Sequence, residues 1–195
     1  MKQNIIIFII LLLQFSCNNN LESNFEKVVE EMPAETKAFI KKDYRKFIDI
    51  ELEKIKYDST NFVLFNNLGS SYLLLSNQGN LSIVDSIKFI DSAKIFLKKS
   101  LEINSKTNAQ AYRNLGAISF LENDNLNTTK YFAQALLIKP NDKEILYEFG
   151  TIAESIGSEY DAIDLYIRVI NIDSNYKDTK QKLLNIKSKY SKEAK

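Results

Sequence analysis

Cys17 is the one thiol in a chain of 195 residues that has no histidine and no tryptophan. A single cysteine cannot close a disulfide within the chain. Without histidine, neither a His/Cys metal site nor a Ser-His-Asp or Cys-His catalytic set can be built. The sequence has no glycine-rich phosphate loop and no Gly-x-Ser-x-Gly elbow. Acid pairs such as Glu30-Glu31 read as solvated helix faces. We therefore expect no catalytic residues, no cofactor and no metal. The 26 basic and 25 acidic side chains give a net charge of +1, and no basic block lies outside the C-terminus, so no nucleic-acid partner is expected.

What surrounds Cys17 gives it a different chemistry. Lys2 is followed by an unbroken apolar run from Ile5 to Leu13, then Gln14-Phe15-Ser16. Nine apolar residues span about 14 Å as a helix, half a bilayer core, which suits an export signal and not a transmembrane helix. Small Ser16 directly before Cys17 resembles the lipobox of bacterial lipoproteins, although Gln14 and Phe15 stand where the usual box has leucine and a small residue. The resemblance implies removal of residues 1–16, acylation of Cys17, and a tether over 17–24. Removal takes one basic residue and no acid, leaving 25 of each. Attachment would then rest on acyl chains and not on charge. By the same resemblance, Asn18 in place of an aspartate points to the outer membrane. The lack of an acidic cluster points to the side facing the periplasm.

Only five glycines and two prolines in this length favour an all-α fold. The glycines reveal a period. Phe65-x-x-Leu68-Gly69, Tyr112-x-x-Leu115-Gly116 and Leu146-x-x-Phe149-Gly150 align. After them come Ala93, Thr128 and Ala162, which open three further matching segments. One reads Thr128-x3-Phe132-x2-Ala135, ended by Pro140, and another Ala162-x3-Tyr166-x2-Val169. This pattern resembles the tetratricopeptide repeat and implies an α-solenoid of antiparallel helix pairs. Glycine inside a helix costs about 1 kcal/mol relative to alanine. Gly69, Gly116 and Gly150 are therefore expected at close helix crossings, against Ala93, Thr128 and Ala162. Gly157 and Asn123 fall where a positive φ is needed between paired helices. Asn141, Ser158 and Asn175, each three residues before an acid, read as helix N-caps.

The expected organisation is a degenerate repeat over 25–61, then repeats over 62–107, 108–141 and 142–175, then a cap helix over 176–195. In the first of these, 34–57 reads as one helix, with 25–32 its stunted partner. The repeat at 62–107 carries an insertion at about 76–91 that starts its second helix early and puts Gly79 at a hairpin tip. That insertion is either a spacer or a partner contact.

The resemblance implies a concave face lined by the first helix of each pair, where proteins of this family bind peptides or helices. Asn66, Arg113, Phe120, Tyr147, Thr151 and Glu154 are the candidate groove residues. Arg113, Phe120 and Tyr147 occupy positions where the repeat needs no large residue for its own core, so a protein partner is the expected reason for their size. Alanine at Arg113 and Tyr147 is expected to spare stability. Glu144 and Glu148 stand where an acid-gripping groove would have cations, which argues against an acidic tail as ligand. The expected function is a membrane-anchored, non-catalytic interaction scaffold of the bacterial envelope. The alternative is a small-molecule or glycan-binding lipoprotein for nutrient uptake.

Overall fold

The computed structural model describes residues 26–79 and 81–193; the signal segment, Cys17 and the tether lie outside them. The chain divides into two compact units at Ile50–Glu51.

The first unit holds a helical stretch over 26–30, helix α1 (Ala34–Ile40) and the first half of α2 (Tyr44–Tyr57). Val29, Ala38, Phe47 and Ile48 are its buried residues. The Phe39 ring lies 6.2 Å from Tyr44 and 5.5 Å from Phe47. The sequence pattern predicts one helix over 34–57, and here the expectation fails. The chain turns at 41–43, where Lys42 takes a left-handed φ of 57°. The N–H groups of Lys42 and Asp43 donate back to the Phe39 and Ala38 carbonyls. Asp43 then accepts from the Lys46 N–H at 3.2 Å. A lysine carries no left-handed preference, so composition gave no cue. Position did: Asp43 precedes Phe47 by the same four residues that separate Asp124 from Thr128 and Ser158 from Ala162.

The second unit continues with three helical hairpins and a terminal helix. They are α3 (Phe62–Ser76) with α4 (Ile83–Ile103), α5 (Ala109–Leu121) with α6 (Asn125–Ile138), and α7 (Lys143–Ser155) with α8 (Glu159–Ile172), followed by α9 (Thr179–Glu193). No strand occurs among the described residues. Short polar side chains start the helices: Asn61, Ser82, Asn108, Asp124 and Asp142 each accept a first-turn backbone N–H. Three expected caps differ. Asp142, not Asn141, caps α7, because its carboxylate reaches the Ile145 N–H. The Ser158 hydroxyl donates to the Asp161 carboxylate and accepts no helix N–H. Asn175 lies outside α9, separated from it by Lys177 at φ 46°. The turns within the second and third hairpins use Asn123 (φ 59°) and Gly157 (φ 82°).

The core is a chain of neighbour-to-neighbour clusters. Ala93 and Leu97 of α4 meet Ala111, Leu115 and Ile118 of α5. Phe132 and Ala135 of α6 meet Ile145 and Ile152 of α7. Ala162, Leu165, Tyr166 and Val169 of α8 meet Leu146 and Ala153 of α7 and Ile186 of α9. Each cluster thus joins helices of one hairpin or of adjacent hairpins, which is how a solenoid is stabilised.

The glycines sit inside these crossings. A Cβ on Gly69 would fall 2.5 Å from Leu97, on Gly116 2.6 Å from Phe132, and on Gly150 2.8 Å from Tyr166. Ala93, Thr128 and Ala162, the partners expected from sequence, are fully buried. At all three crossings the nearest side chain comes from one turn later. At Gly69 the earlier residue also approaches, through the Ala93 carbonyl at 3.2 Å. Pro140 follows α6 and accepts from Arg168 through its carbonyl at 2.9 Å.

One core position breaks the pattern. Glu51 follows Lys42 by the interval that separates Phe132 from Asn123 and Tyr166 from Gly157. It is 1% exposed. Its carboxylate accepts from Lys54 Nζ at 2.9 Å and Asn67 Nδ2 at 3.0 Å, the pairing a buried charge requires. The apolar periodicity of the sequence puts Leu52 and Ile55 on that face instead.

Candidate interaction face

The site is built on the first helices α3, α5 and α7. Residues at i, i+3, i+7 and i+11 share a helix face. On α3 these are Val63, Asn66, Ser70 and Leu74; on α5, Gln110, Arg113, Ala117 and Leu121; on α7, Glu144, Tyr147, Thr151 and Ser155. Polar bonds join the helices side by side. Asn114 donates to Ser70 Oγ at 2.7 Å and accepts from Gln110 at 3.0 Å. Arg113 forms an ion pair with Glu148 of the next first helix. The third residue after each of Asn66, Arg113 and Tyr147 is the glycine that holds its helix against the second one. The residue after that glycine is small: Ser70, Ala117 and Thr151 make a half-buried row. Larger residues lie one turn before and one turn after it: Asn66, Arg113 and Tyr147 before, Leu74 and Leu121 after.

The C-terminal end of this face is filled by the chain itself. The Tyr147 hydroxyl donates to Asp178, just before α9. Lys177 Nζ lies 4.4 Å from the Tyr147 ring centroid, and Tyr176 packs edge-on to that ring at 5.6 Å. Glu154 accepts from Lys182 of α9 at 3.0 Å and from the Tyr166 hydroxyl at 2.7 Å. The Thr151 hydroxyl turns back to the Tyr147 carbonyl at 3.0 Å. Desolvation, and then the bond to Asp178, push the Tyr147 phenol up to about 12. The same bond holds the Asp178 carboxyl below its ordinary value. Burial pushes the Tyr166 phenol well above the usual range. At neutral pH both phenols are therefore hydrogen-bond donors, not nucleophiles or bases. No group of three metal-ligating side chains occurs among the described residues.

These contacts correct the argument from size. Arg113 and Tyr147 have intramolecular partners, and Phe120 packs on the cluster around Phe132. The size of Arg113 and Tyr147 is therefore accounted for by contacts within the chain, with no partner needed to explain it. Asn66 is different: its Oδ1 is shielded from solvent and has no hydrogen-bond partner. Sequence reasoning missed two side chains. Leu74 and Leu121 are 40% and 52% exposed and occupy the same register, five residues after Gly69 and Gly116. That repeated spacing was the available signal.

No family model matches the chain, and no curated protein matches it. Solved structures do. The chain is similar to MamA, at 21% identity and a TM-score of 0.64, over 82% of this chain and 86% of that one. It is also similar to TTC0263, a thermophilic TPR protein in Thermus thermophilus. There the identity is 14% and the TM-score 0.71, over 95% of this chain and 98% of the other. The chain has the tetratricopeptide-repeat fold, an all-α solenoid of antiparallel helix pairs.

Proposed function

We propose that the protein is a non-catalytic interaction scaffold that holds a segment of a partner protein across α3, α5 and α7. The observation that carries this reading is the row Ser70, Ala117 and Thr151. These three small, half-buried residues stand in one register on neighbouring first helices. Asn66 and Leu74 flank it at the α3 end. The fold supports the reading, because stacked hairpins make extended recognition surfaces. We further propose that Cys17 is acylated and tethers the scaffold to the outer membrane of a bacterial envelope, facing the periplasm. The residues around Cys17 support this part of the reading.

The test uses the full chain in a bacterial host. Metabolic palmitate should label the wild type and not Cys17→Ser, and labelling that persists in the variant overturns the anchor. For the groove, Ala117→Tyr fills the floor without touching Arg113 or Tyr147. A partner recovered with the wild type from detergent-solubilised envelope should be lost with Ala117→Tyr at unchanged melting temperature. Equal recovery by both overturns the groove.

A further inference from the structure

The connectors between hairpins differ in length. Four residues, 139–142, join α6 to α7, whereas six, 173–178, join α8 to α9. The longer connector carries Tyr176 and Lys177 onto Tyr147 of α7. It does so with Lys177 at a left-handed φ of 46°, a conformation that strains a lysine backbone. The Lys177 ammonium lies 4.4 Å from the Tyr147 ring centroid and 5.0 Å from that of Tyr176. The two rings stand 5.6 Å apart at 79° to each other. They form two walls of an aromatic cage, and one cation faces both.

The neighbouring charges set Lys177 apart. Lys143 pairs with Asp173 at 2.7 Å, Lys182 with Glu154 at 3.0 Å, and Arg113 with Glu148. Each of these cations is matched by a carboxylate. Lys177 forms no ion pair among the described residues. Neither does Glu144, three residues before Tyr147 on the same helix face. Asp178, next to Lys177 in the chain, accepts from the Tyr147 hydroxyl. Lys143 also reaches the Tyr176 ring, at 4.9 Å, but its ammonium is held by Asp173. With Lys177 turned away, the cage keeps two ring faces and the carboxylates of Glu144 and Asp178, and every cation left beside it is paired.

We propose that Lys177 is a ligand the chain supplies to itself, and that this cage takes a lysine or arginine side chain of the partner segment in its place. The proposal rests on the functional reading above for where the segment lies. Tyr147 shares the register of Asn66 and Arg113, so a segment laid across α3, α5 and α7 in that register ends at the cage. The occupant's chemistry is read from Lys177 itself, because the site already holds an ammonium. An acidic side chain there would face Glu144 and Asp178 and be repelled. An exposed cation–π contact is weak enough to be exchanged for another of the same kind.

The experiment measures binding of two fluorescent extended peptides to the full chain, one of serine and lysine, the other of serine and glutamate. Lys177→Asn removes the ammonium and leaves a residue that accepts the left-handed turn. If Lys177 fills the cage about nine-tenths of the time, this variant should bind the Ser/Lys peptide about tenfold more tightly than the wild type. Lys177→Arg keeps a cation in place and should bind like the wild type. Lys180→Asn makes the same charge change on an exposed lysine three residues on, and should bring no gain. Adding Tyr176→Leu to Lys177→Asn removes one wall, leaves the Tyr147–Asp178 bond, and should abolish the gain. No gain from Lys177→Asn, an equal gain from Lys180→Asn, a gain that survives Tyr176→Leu, or preference for the Ser/Glu peptide overturns the cage. The two readings fail separately. Equal partner recovery by Ala117→Tyr overturns the first-helix face, whereas absence of the Lys177→Asn gain overturns the cage alone.

Discussion

Gly116→Leu should destabilise the protein by roughly 1–3 kcal/mol or more. A Cβ at this position falls 2.6 Å and 2.8 Å from two carbons of the Phe132 ring. The ring cannot step aside. It is fully buried and stacks on Phe149 at 5.0 Å with 6° between the planes. Alanine and leucine both gain helix propensity over glycine, so alanine should cost less than leucine because it adds only the Cβ. Phe132→Leu replaces the rigid ring with a smaller, flexible side chain and should relieve part of the cost of Gly116→Ala. At Gly79 an added Cβ meets nothing within 4 Å, so Gly79→Ala should be close to neutral. Urea melts of the four variants measure the order. If Gly79→Ala is the most damaging, or Phe132→Leu makes Gly116→Ala worse, the crossing of α5 and α6 is not as described.

Ile186→Asp should release α9 while the rest of the second unit stays folded. Ile186 is fully buried in the last core cluster, which it shares with Tyr166 and Val169. Around it the attachments are polar: Lys182 to Glu154, Lys189 to Glu159, and Asp178 to Tyr147. Exposed ion pairs contribute at most about 1 kcal/mol each, whereas losing a buried aliphatic contact costs about 2–5 kcal/mol. A carboxylate at this site will seek water and not remain buried. Hydrogen exchange should show α9 unprotected and α5 and α6 unchanged, and trypsin should cut first at Lys180, Lys182 or Lys187. Loss of protection throughout the second unit would contradict a neighbour-only stack. The same attachment should depend on pH in the wild type. The Asp178 carboxyl is held below its ordinary value by the Tyr147 hydroxyl. Its contribution is complete above about pH 4 and is lost as pH falls through the lower folded value. The Tyr147 phenol, pushed up to about 12, contributes below about pH 10 and stops contributing as pH rises towards 12. Protection of α9 should therefore hold across neutral pH and fail on both sides.

The helix pairs were legible because glycine is costly inside a helix, so its return behind the same apolar pair marks a close crossing. Asn123 and Gly157 were legible because few residues accept a positive φ. Lys42 was not legible from its type, since nothing in a lysine announces a turn, and only the spacing from Asp43 to Phe47 marked it. Asp142 was missed beside Asn141 because adjacent caps have the same chemistry and only geometry separates them. The buried Glu51 defied a reading that assigns apolar residues to the core. The partners of Arg113 and Tyr147 lie 35 and 31 residues away. One sequence shows register within a helix but not which side chains meet across two of them. Surplus size at an inner position therefore looked like a vacancy for a partner when the chain already filled it.

The central claim is that the face of the first helices is where a partner lies. A photo-crosslinking residue placed at Ala117, on the groove floor, and separately at Ile95, 66% exposed on a second helix, tests it most directly in intact cells. Irradiation should join a discrete protein to the Ala117 position and none to Ile95. Equal products from both positions, or products from Ile95 alone, would contradict it.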